Sequence, residues 1–419
     1  MRKVLVVLMV LAFAVSSFGA VDTVTKENAQ AGYPAALKEL SISTVDYFPA
    51  LITKLGNVVA IEYVGTYLGY IVLNTDIGTI GISSAPAQGV YVPGVSPSLA
   101  NGLLGLSYGT ELEGMAIGAT LRYGAYSEGE KTKSPAPDYD KVSYEEDSGY
   151  NTLGLNLGVS LAGDMPIDLG LGVSMLNEYY NETDYDNTSG DKNYDYNEAA
   201  NILGLALNAR VGLDSWIIGA MVNFATGDDK WTYKEEASYG TDDMIATTSN
   251  TSLMLGLGAS YKIEATDSLT VLLGTGLAAM MNQEASYLFE DKTANTKIVG
   301  ATKDSWTDIV VPFNVAVEGK INETWSVNTG AGISVLALSS RSNKTNVDAL
   351  FEKEDFKETD TESSFTRDSG LSYAIGLRGK FGDVTFDWNI NPNILISGPN
   401  FISGINTGFS SNVAAQYAW

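Results

Sequence analysis

The last fifteen residues of the chain, INTGFSSNVAAQYAW (Ile405 to Trp419), alternate without interruption. Ile405, Thr407, Phe409, Ser411, Val413, Ala415, Tyr417 and Trp419 fall on one side. Asn406, Gly408, Ser410, Asn412, Ala414, Gln416 and Ala418 fall on the other. A two-residue period is that of a β-strand, whose side chains point to opposite faces in turn. One face here suits hydrocarbon and the other is small and polar.

Working back from this strand, the same period recurs between polar turns, giving thirteen strands from Asn101 onward. Leu203, Leu205, Leu207, Ala209, Val211 and Leu213 oppose Gly204, Ala206, Asn208, Arg210 and Gly212. Leu253 to Ile263 and Leu153 to Leu161 repeat the pattern. The connections alternate in length. Short ones lie near Glu111 to Gly114, Gly163 to Pro166, Asp214, Ala265 to Asp267, Asn322 to Glu323 and Gly382 to Asp383. Long ones lie near Ser127 to Ser148, Asn181 to Glu198, Asp228 to Thr248, Leu288 to Asp304 and Ser342 to Asp368. Short turns on one rim and long loops on the other belong to transmembrane antiparallel β-barrels.

In its alternating strands and aromatic terminus the chain resembles the bacterial outer-membrane β-barrel proteins. The resemblance implies residence in the outer membrane of a Gram-negative cell, among its lipids. It also implies that Tyr417 and Trp419 form a signal read by the barrel-assembly machinery.

The other end of the chain agrees. Arg2 and Lys3 precede an apolar run from Val4 to Phe18, too short for a spanning helix and flanked as a secretory signal peptide is, so residues 1–20 are expected to be removed. The chain has 419 residues, no Cys, no His and a formal net charge of −25. Absence of Cys excludes disulfides, thiolate metal sites and lipid attachment. The strongly acidic balance argues against nucleic acid as a partner. Absence of His removes the Ser-His and His-Asp arrangements of outer-membrane hydrolases, and no pair of acids is singled out by spacing, so no enzyme is expected. No glycine pattern forms a nucleotide-binding loop.

An even strand number requires an odd number of strands before Asn101. Residues 57 to 85 supply either one long strand, Tyr70 to Ala85, giving the preferred total of fourteen, or three short ones, Val58 to Val64, Leu68 to Asn74 and Thr79 to Ala85, giving sixteen. The barrel is thus assigned to residues 57–419. Residues 21–56 lack the strand period, carry a helical turn or two from Pro34 to Leu40, and hold an apolar patch at Tyr47-Phe48-Pro49-Ala50. Two readings stand, a periplasmic tail and a luminal plug. The plug, with fourteen strands, is similar to the arrangement in the long-chain fatty-acid transporter family, whose N-terminal segment plugs the barrel.

Charged and amide residues on the face opposite the leucines are the candidate pore lining: Arg122, Asp168, Asn208, Arg210, Lys262, Glu318, Lys320, Arg378, Lys380 and Asp387. Buried between two soluble sheets, such charges would be costly; in a wet lumen they are not. Glycines on the same face, among them Gly154, Gly158, Gly170, Gly172, Gly256, Gly258 and Gly276, either leave room for an inserted segment or ease curvature. Asp184, Asp186 and Asp191 lie in an acidic, tyrosine-rich loop that could hold calcium, although its usual meaning is a solvated surface. The expected function is a porin-like channel for small solutes or ions. A plugged transporter for hydrophobic or specific ligands, and a structural barrel presenting acidic loops, are the alternatives. A homo-oligomer is compatible with this reading.

Overall fold

The computed structural model describes residues 26, 40–63, 67–84, 104–133, 142–185, 192–235, 243–292, 295–346, 357–364, 370–390 and 410–419. The proposed leader, residues 1–20, lies outside them, as do Pro34 to residue 39 of the expected helical turn.

Seventeen strand segments form one sheet: β1 (Val58–Tyr63), β2 (Tyr67–Thr75), β3 (Gly78–Ser84), β4 (Leu104–Leu112), β5 (Met115–Lys133), β6 (Val142–Leu161), β7 (Ile167–Tyr185), β8 (Lys192–Leu213), β9 (Trp216–Glu235), β10 (Asp243–Thr266), β11 (Leu269–Lys292), β12 (Asn295–Lys320), β13 (Trp325–Asn346), β14 (Lys357–Ser364), β15 (Gly370–Phe381), β16 (Val384–Ile390) and β17 (Ser410–Ala418). β14 and β15 both run antiparallel to β13, against its upper part (Ser339↔Ser364) and its lower part (Ser334↔Gly370). They are two stretches of one strand. The barrel therefore has sixteen strands in simple up-and-down order, all antiparallel, and closes where β17 pairs β1 (Val58↔Ala418 to Tyr63↔Val413).

The preferred count of fourteen is corrected to sixteen. The region before Asn101 forms the three short strands because Asp76 and Ile77 make a two-residue hairpin turn, closed at Gly78 with φ +135°. Only then can β1 meet the C-terminal strand. The terminal strand differs in one detail from its sequence pattern: Asn389 pairs Asn412 but Ile390 pairs Ser410, a bulge that skips Ser411. Ile405 to Phe409 lie outside the described residues. At the seam the Trp419 amide donates to the Asn57 carbonyl at 3.1 Å, and the Tyr417 and Trp419 rings stack at 5.5 Å.

The six short turns fall where their residues require them, with positive φ at Gly114, Gly163, Asp214 and Gly382. The long connections are different. Four of them are mostly strand, the ladders of β5–β6, β7–β8, β9–β10 and β11–β12 continuing far beyond the apolar belt. β10, with 24 residues, is about 80 Å of strand where an apolar band needs only ~25 Å of height. The alternation there is tyrosine or acid against other polar residues, so the hydrophobic period that marks a strand is absent while the backbone pairing persists.

Outward positions carry the apolar belt. Leu121, Leu155, Leu171, Leu207 and Leu257 are exposed, Leu257 by 63%. At the short-turn rim a girdle of rings surrounds it: Trp216–Tyr261 at 4.5 Å, Trp325–Phe381 at 5.5 Å and Phe381–Phe386 at 6.2 Å. A soluble protein could not present so continuous an apolar surface to water, and a closed barrel satisfies every strand edge within hydrocarbon. This is an outer-membrane β-barrel, with the short turns on the periplasmic rim.

Candidate functional site

Inside the barrel, residues 41–55 are packed on the wall. Helix α1 (Ile42–Tyr47) starts at a capping box in which the Thr44 amide donates to Ser41 Oγ at 3.2 Å and the Ser41 amide to Thr44 Oγ1 at 2.9 Å. Pro49 ends it, since the residue before a proline is driven out of the α conformation, and a 3-10 turn (Pro49–Lys54) follows. The apolar patch read at Tyr47 to Ala50 is the centre of this packing. Phe48, Leu51, Ile52 and Leu55 are at most 2% exposed, among Val58, Ala60, Leu68, Tyr70 and Val72 of β1 and β2.

The wall beneath is made of glycine. A Cβ at Gly158 would lie 2.8 Å from the backbone nitrogens of Pro49 and Ala50. One at Gly118 would strike the Pro49 carbonyl, one at Gly170 the Tyr47 carbonyl, and those at Gly81 and Gly109 would meet Ile52 at 2.6 and 2.5 Å. Five glycines on five adjacent strands, β3 to β7, thus form a track on which the segment lies, its backbone over Gly118, Gly158 and Gly170 and the Ile52 side chain over Gly81 and Gly109. Gly158 and Gly170 were legible as small inward residues; here they admit a close approach. Elsewhere the glycine face meets other wall atoms, as at Gly172 against Asn156 and Gly256 against Met221.

Charges complete the seat. Asp46 pairs the Arg122 guanidinium, and its backbone carbonyl accepts from Asn156 Nδ2 at 3.1 Å. Burial pushes the Asp46 carboxyl above its ordinary range and Arg122 opposes this. The Arg210 guanidinium lies 4.8 Å over the Phe48 ring, and Lys54 Nζ donates to Ser160 Oγ at 3.2 Å. From the opposite wall Glu318 of β12 pairs Lys26 at 2.9 Å. Lys26 and residues 41–55 therefore touch opposite walls near the short-turn rim.

The ten predicted lining residues all lie on the inner face or its rim, but most do not stand free. Asp168 accepts from Arg210 Nε at 2.7 Å, and Asp387 accepts from Arg378 through both oxygens, at 2.6 and 2.9 Å. Arg122 and Glu318 are paired with the inner segment, and Asn208 is buried. Lys262 reaches Glu264 at 3.3 Å, while Lys320 and Lys380 are exposed at the periplasmic rim. Of the calcium candidates, Asp184 sits at the end of β7 opposite Tyr194, and Asp186 and Asp191 lie outside the described residues. Among the described residues no group of three acids is placed to hold a metal.

Two features went unpredicted. The first is an apolar cavity of about 140 Å³ above Phe48, lined by Met221, Met254, Ala278 and Pro312 and by bare glycine. Beside it the β11–β12 ladder lapses: Thr275 pairs Phe313 and Ala278 pairs Val310, with no pair between. Pro312 has no N–H to donate, and its carbonyl accepts instead from the Thr275 hydroxyl at 3.1 Å. A proline inside a strand pattern was the available signal.

The second lies higher, where the strands rise above the apolar belt. The tyrosine-acid alternation read as loop lines the inner wall there. Tyr144 donates to Glu146 at 2.7 Å, Tyr180 to Glu182 at 2.9 Å and Tyr196 to Glu198 at 2.8 Å. Beside Glu198 runs a groove of about 360 Å³ bordered also by Glu178, Asp229, Asn282 and Trp306. Glu178 and Asp229 face each other across the small Ala200 in one cross-strand row. Burial, then the neighbouring carboxylates, raises both acids, Asp229 to about 6.

No protein-family model and no curated protein matches the chain. Solved structures similar to it include the toluene transporter TodX of Pseudomonas putida (12% identity, 97% of each chain, TM-score 0.40), the ferric yersiniabactin uptake receptor FyuA of Yersinia pestis (11%, 87% of this chain and 71% of that one, TM-score 0.37) and the translocator domain of the autotransporter NalP of Neisseria meningitidis (10%, 73% and 88%, TM-score 0.29). Overlaps this loose carry no argument about cargo or mechanism.

Proposed function

We propose that this barrel is an outer-membrane transporter whose lumen is closed on the periplasmic side by residues 41–55, and that passage requires this segment to leave its seat. The observation that carries the reading is the glycine track. Five consecutive strands give up side chains where Tyr47, Pro49, Ala50 and Ile52 lie, and a tail merely resting in the lumen would not need that. A sixteen-stranded barrel is also too wide to be filled by its own wall side chains, so an inserted segment is the means of closing it.

The porin-like expectation of free diffusion is supported less well. Four of the charged residues read as pore lining are tied up in pairs within the wall, at Asp168–Arg210 and Arg378–Asp387. Two more are tied to the segment itself.

The test is single-channel recording of the refolded full chain in a planar bilayer, beside a D46A/F48A variant. The plugged reading expects long silences for the parent and frequent openings for the variant. Steady large openings of the parent would return the barrel to the passive-pore class.

A further inference from the structure

The groove on the inner wall above the belt is short of donors. Glu178 Oε1 and Asp229 Oδ1 are both sealed from solvent without a hydrogen-bond partner. So are Asn223 Oδ1, two positions below the groove-lining Ala225 on the same face of β9, and Asp304 Oδ1, across the register from the groove-lining Glu284. All four are acceptors. Buried acceptors left unpaired cost roughly 1–3 kcal/mol each, more when charged, so what is missing here is a donor, and a cationic one satisfies the carboxylates best.

The wall does not provide it. Among the described residues, the inward positions of β7 to β11 at this level are Glu178, Ala200 and Glu198, Asp229, Asn250 and Ser252, and Asn282 and Glu284, with no lysine or arginine. The first cation in register is Arg341, exposed beyond Trp306 on β13. Tyrosine hydroxyls satisfy Glu146 and Glu182 higher up, but none is bonded to the two orphan oxygens.

Size separates a molecule from a bare ion. Calcium gathers six to eight oxygens at about 2.3–2.6 Å, and no group of acids so placed exists among the described residues. The groove holds about 360 Å³, within the range of small-molecule sites. Its flanks are aromatic. Trp306 borders it on one side, and on the other a second cavity of about 320 Å³ shares Glu178 and Glu198 and is walled by Tyr180 and by Tyr150, which stacks on Tyr126 at 5.9 Å. Rings beside carboxylates attract a cation through their faces as well as by charge. Directly below, along the same strands, Met254 and Met221 lead from Ser252 and Ala225 into the apolar cavity above Phe48.

We propose that this inner-wall groove binds a protonated organic amine with an apolar body, its ammonium held by Glu178, Glu198 and Asp229 and its body lying against Trp306 and the tyrosines. This deepens the transporter reading by naming its cargo class, but binding can be measured without any passage through the barrel, so the two can fail separately.

The experiment is calorimetric titration of the refolded full chain with benzylammonium chloride, with neutral benzyl alcohol and with calcium chloride, at fixed ionic strength. The proposal expects benzylammonium to bind at least tenfold more tightly than benzyl alcohol, and E178Q/D229N to lose at least tenfold of that affinity while keeping the β-sheet spectrum of the parent. Should that pair fail to fold, the quenching of tryptophan fluorescence by benzylammonium, and its loss in W306F, gives the same answer. Equal binding of the alcohol, undiminished binding by E178Q/D229N, an unchanged fluorescence response in W306F, or binding of calcium in place of benzylammonium would each overturn the proposal.

Discussion

The guanidinium of Arg210 is shared between the wall and the inserted segment: it stacks 4.8 Å over the Phe48 ring while its Nε donates to Asp168 Oδ2 at 2.7 Å. Asp168 fixes the guanidinium plane, and the fixed plane fixes the ring. Phe48 is 1% exposed, so F48A should loosen the seat by about 3–5 kcal/mol, the usual cost of emptying a well-packed aromatic site. Limited proteolysis between residues 40 and 56 reports the effect directly. The variant should be cut in this window under conditions where the parent resists, and the strands should survive in both.

The glycine track makes a sharper prediction because it separates seating from folding. G158A adds one methyl group against Pro49 and Ala50, where a Cβ would have 2.8 Å, whereas G154A adds the same group 3.7 Å from Arg122 Cβ, an ordinary contact. Both favour the strand equally. G158A should raise the open probability in bilayer recordings with barrel formation unchanged, as judged by the heat-dependent gel shift, and G154A should match the parent. Equal behaviour of the two would mean that the track does not hold the segment.

What the sequence disclosed and what it hid follow one physical line. Inside hydrocarbon each strand must alternate, so the thirteen strands after Asn101, their turns and the inward face carrying Asp168, Arg210 and Arg378 were all readable. Above the belt both faces meet water, as at Tyr194-Asp195-Tyr196, so the strand there carries no hydrophobic period to distinguish it from a loop. The three short strands before Asn101 were readable only as an alternative, since Thr75 to Gly78 passes for either strand or turn. Pairing across distant segments, such as Asp46 with Arg122 or Glu178 beside Asp229, leaves no local mark. Glu198 and Asp229 fall within segments that read as long loops, and nothing in the sequence marks them or Glu178 as neighbours.

The lapse in the β11–β12 ladder can be repaired. P312V returns an amide to β12 opposite Gly276, between the intact pairs Thr275↔Phe313 and Ala278↔Val310. One added backbone hydrogen bond is worth ~1 kcal/mol net, so the variant should melt slightly higher, and the amide restored at position 312 and that of Gly276 opposite it should exchange hydrogen slowly. Unchanged exchange would indicate that the strands are held apart by something other than the missing donor.

The groove carries its own pH dependence. Burial first, then the negative charge of the adjacent Glu198, hold Asp229 at about 6, against an ordinary value of 3.8. A raised carboxyl favours the fold when protonated: that contribution is complete below 3.8 and is lost as pH climbs through about 6. A bound ammonium acts in the opposite sense, because it pairs only with the ionised acid and competes with the proton. Affinity for benzylammonium should therefore fall by roughly tenfold between pH 7 and pH 5, as one acid becomes about 90% protonated. D229N should remove most of this slope, leaving the share of Glu178, which burial and the charges of Asp229 and Glu198 also raise. Titrations of parent and D229N at pH 5, 6 and 7 decide it, and equal slopes would place the ammonium away from Asp229.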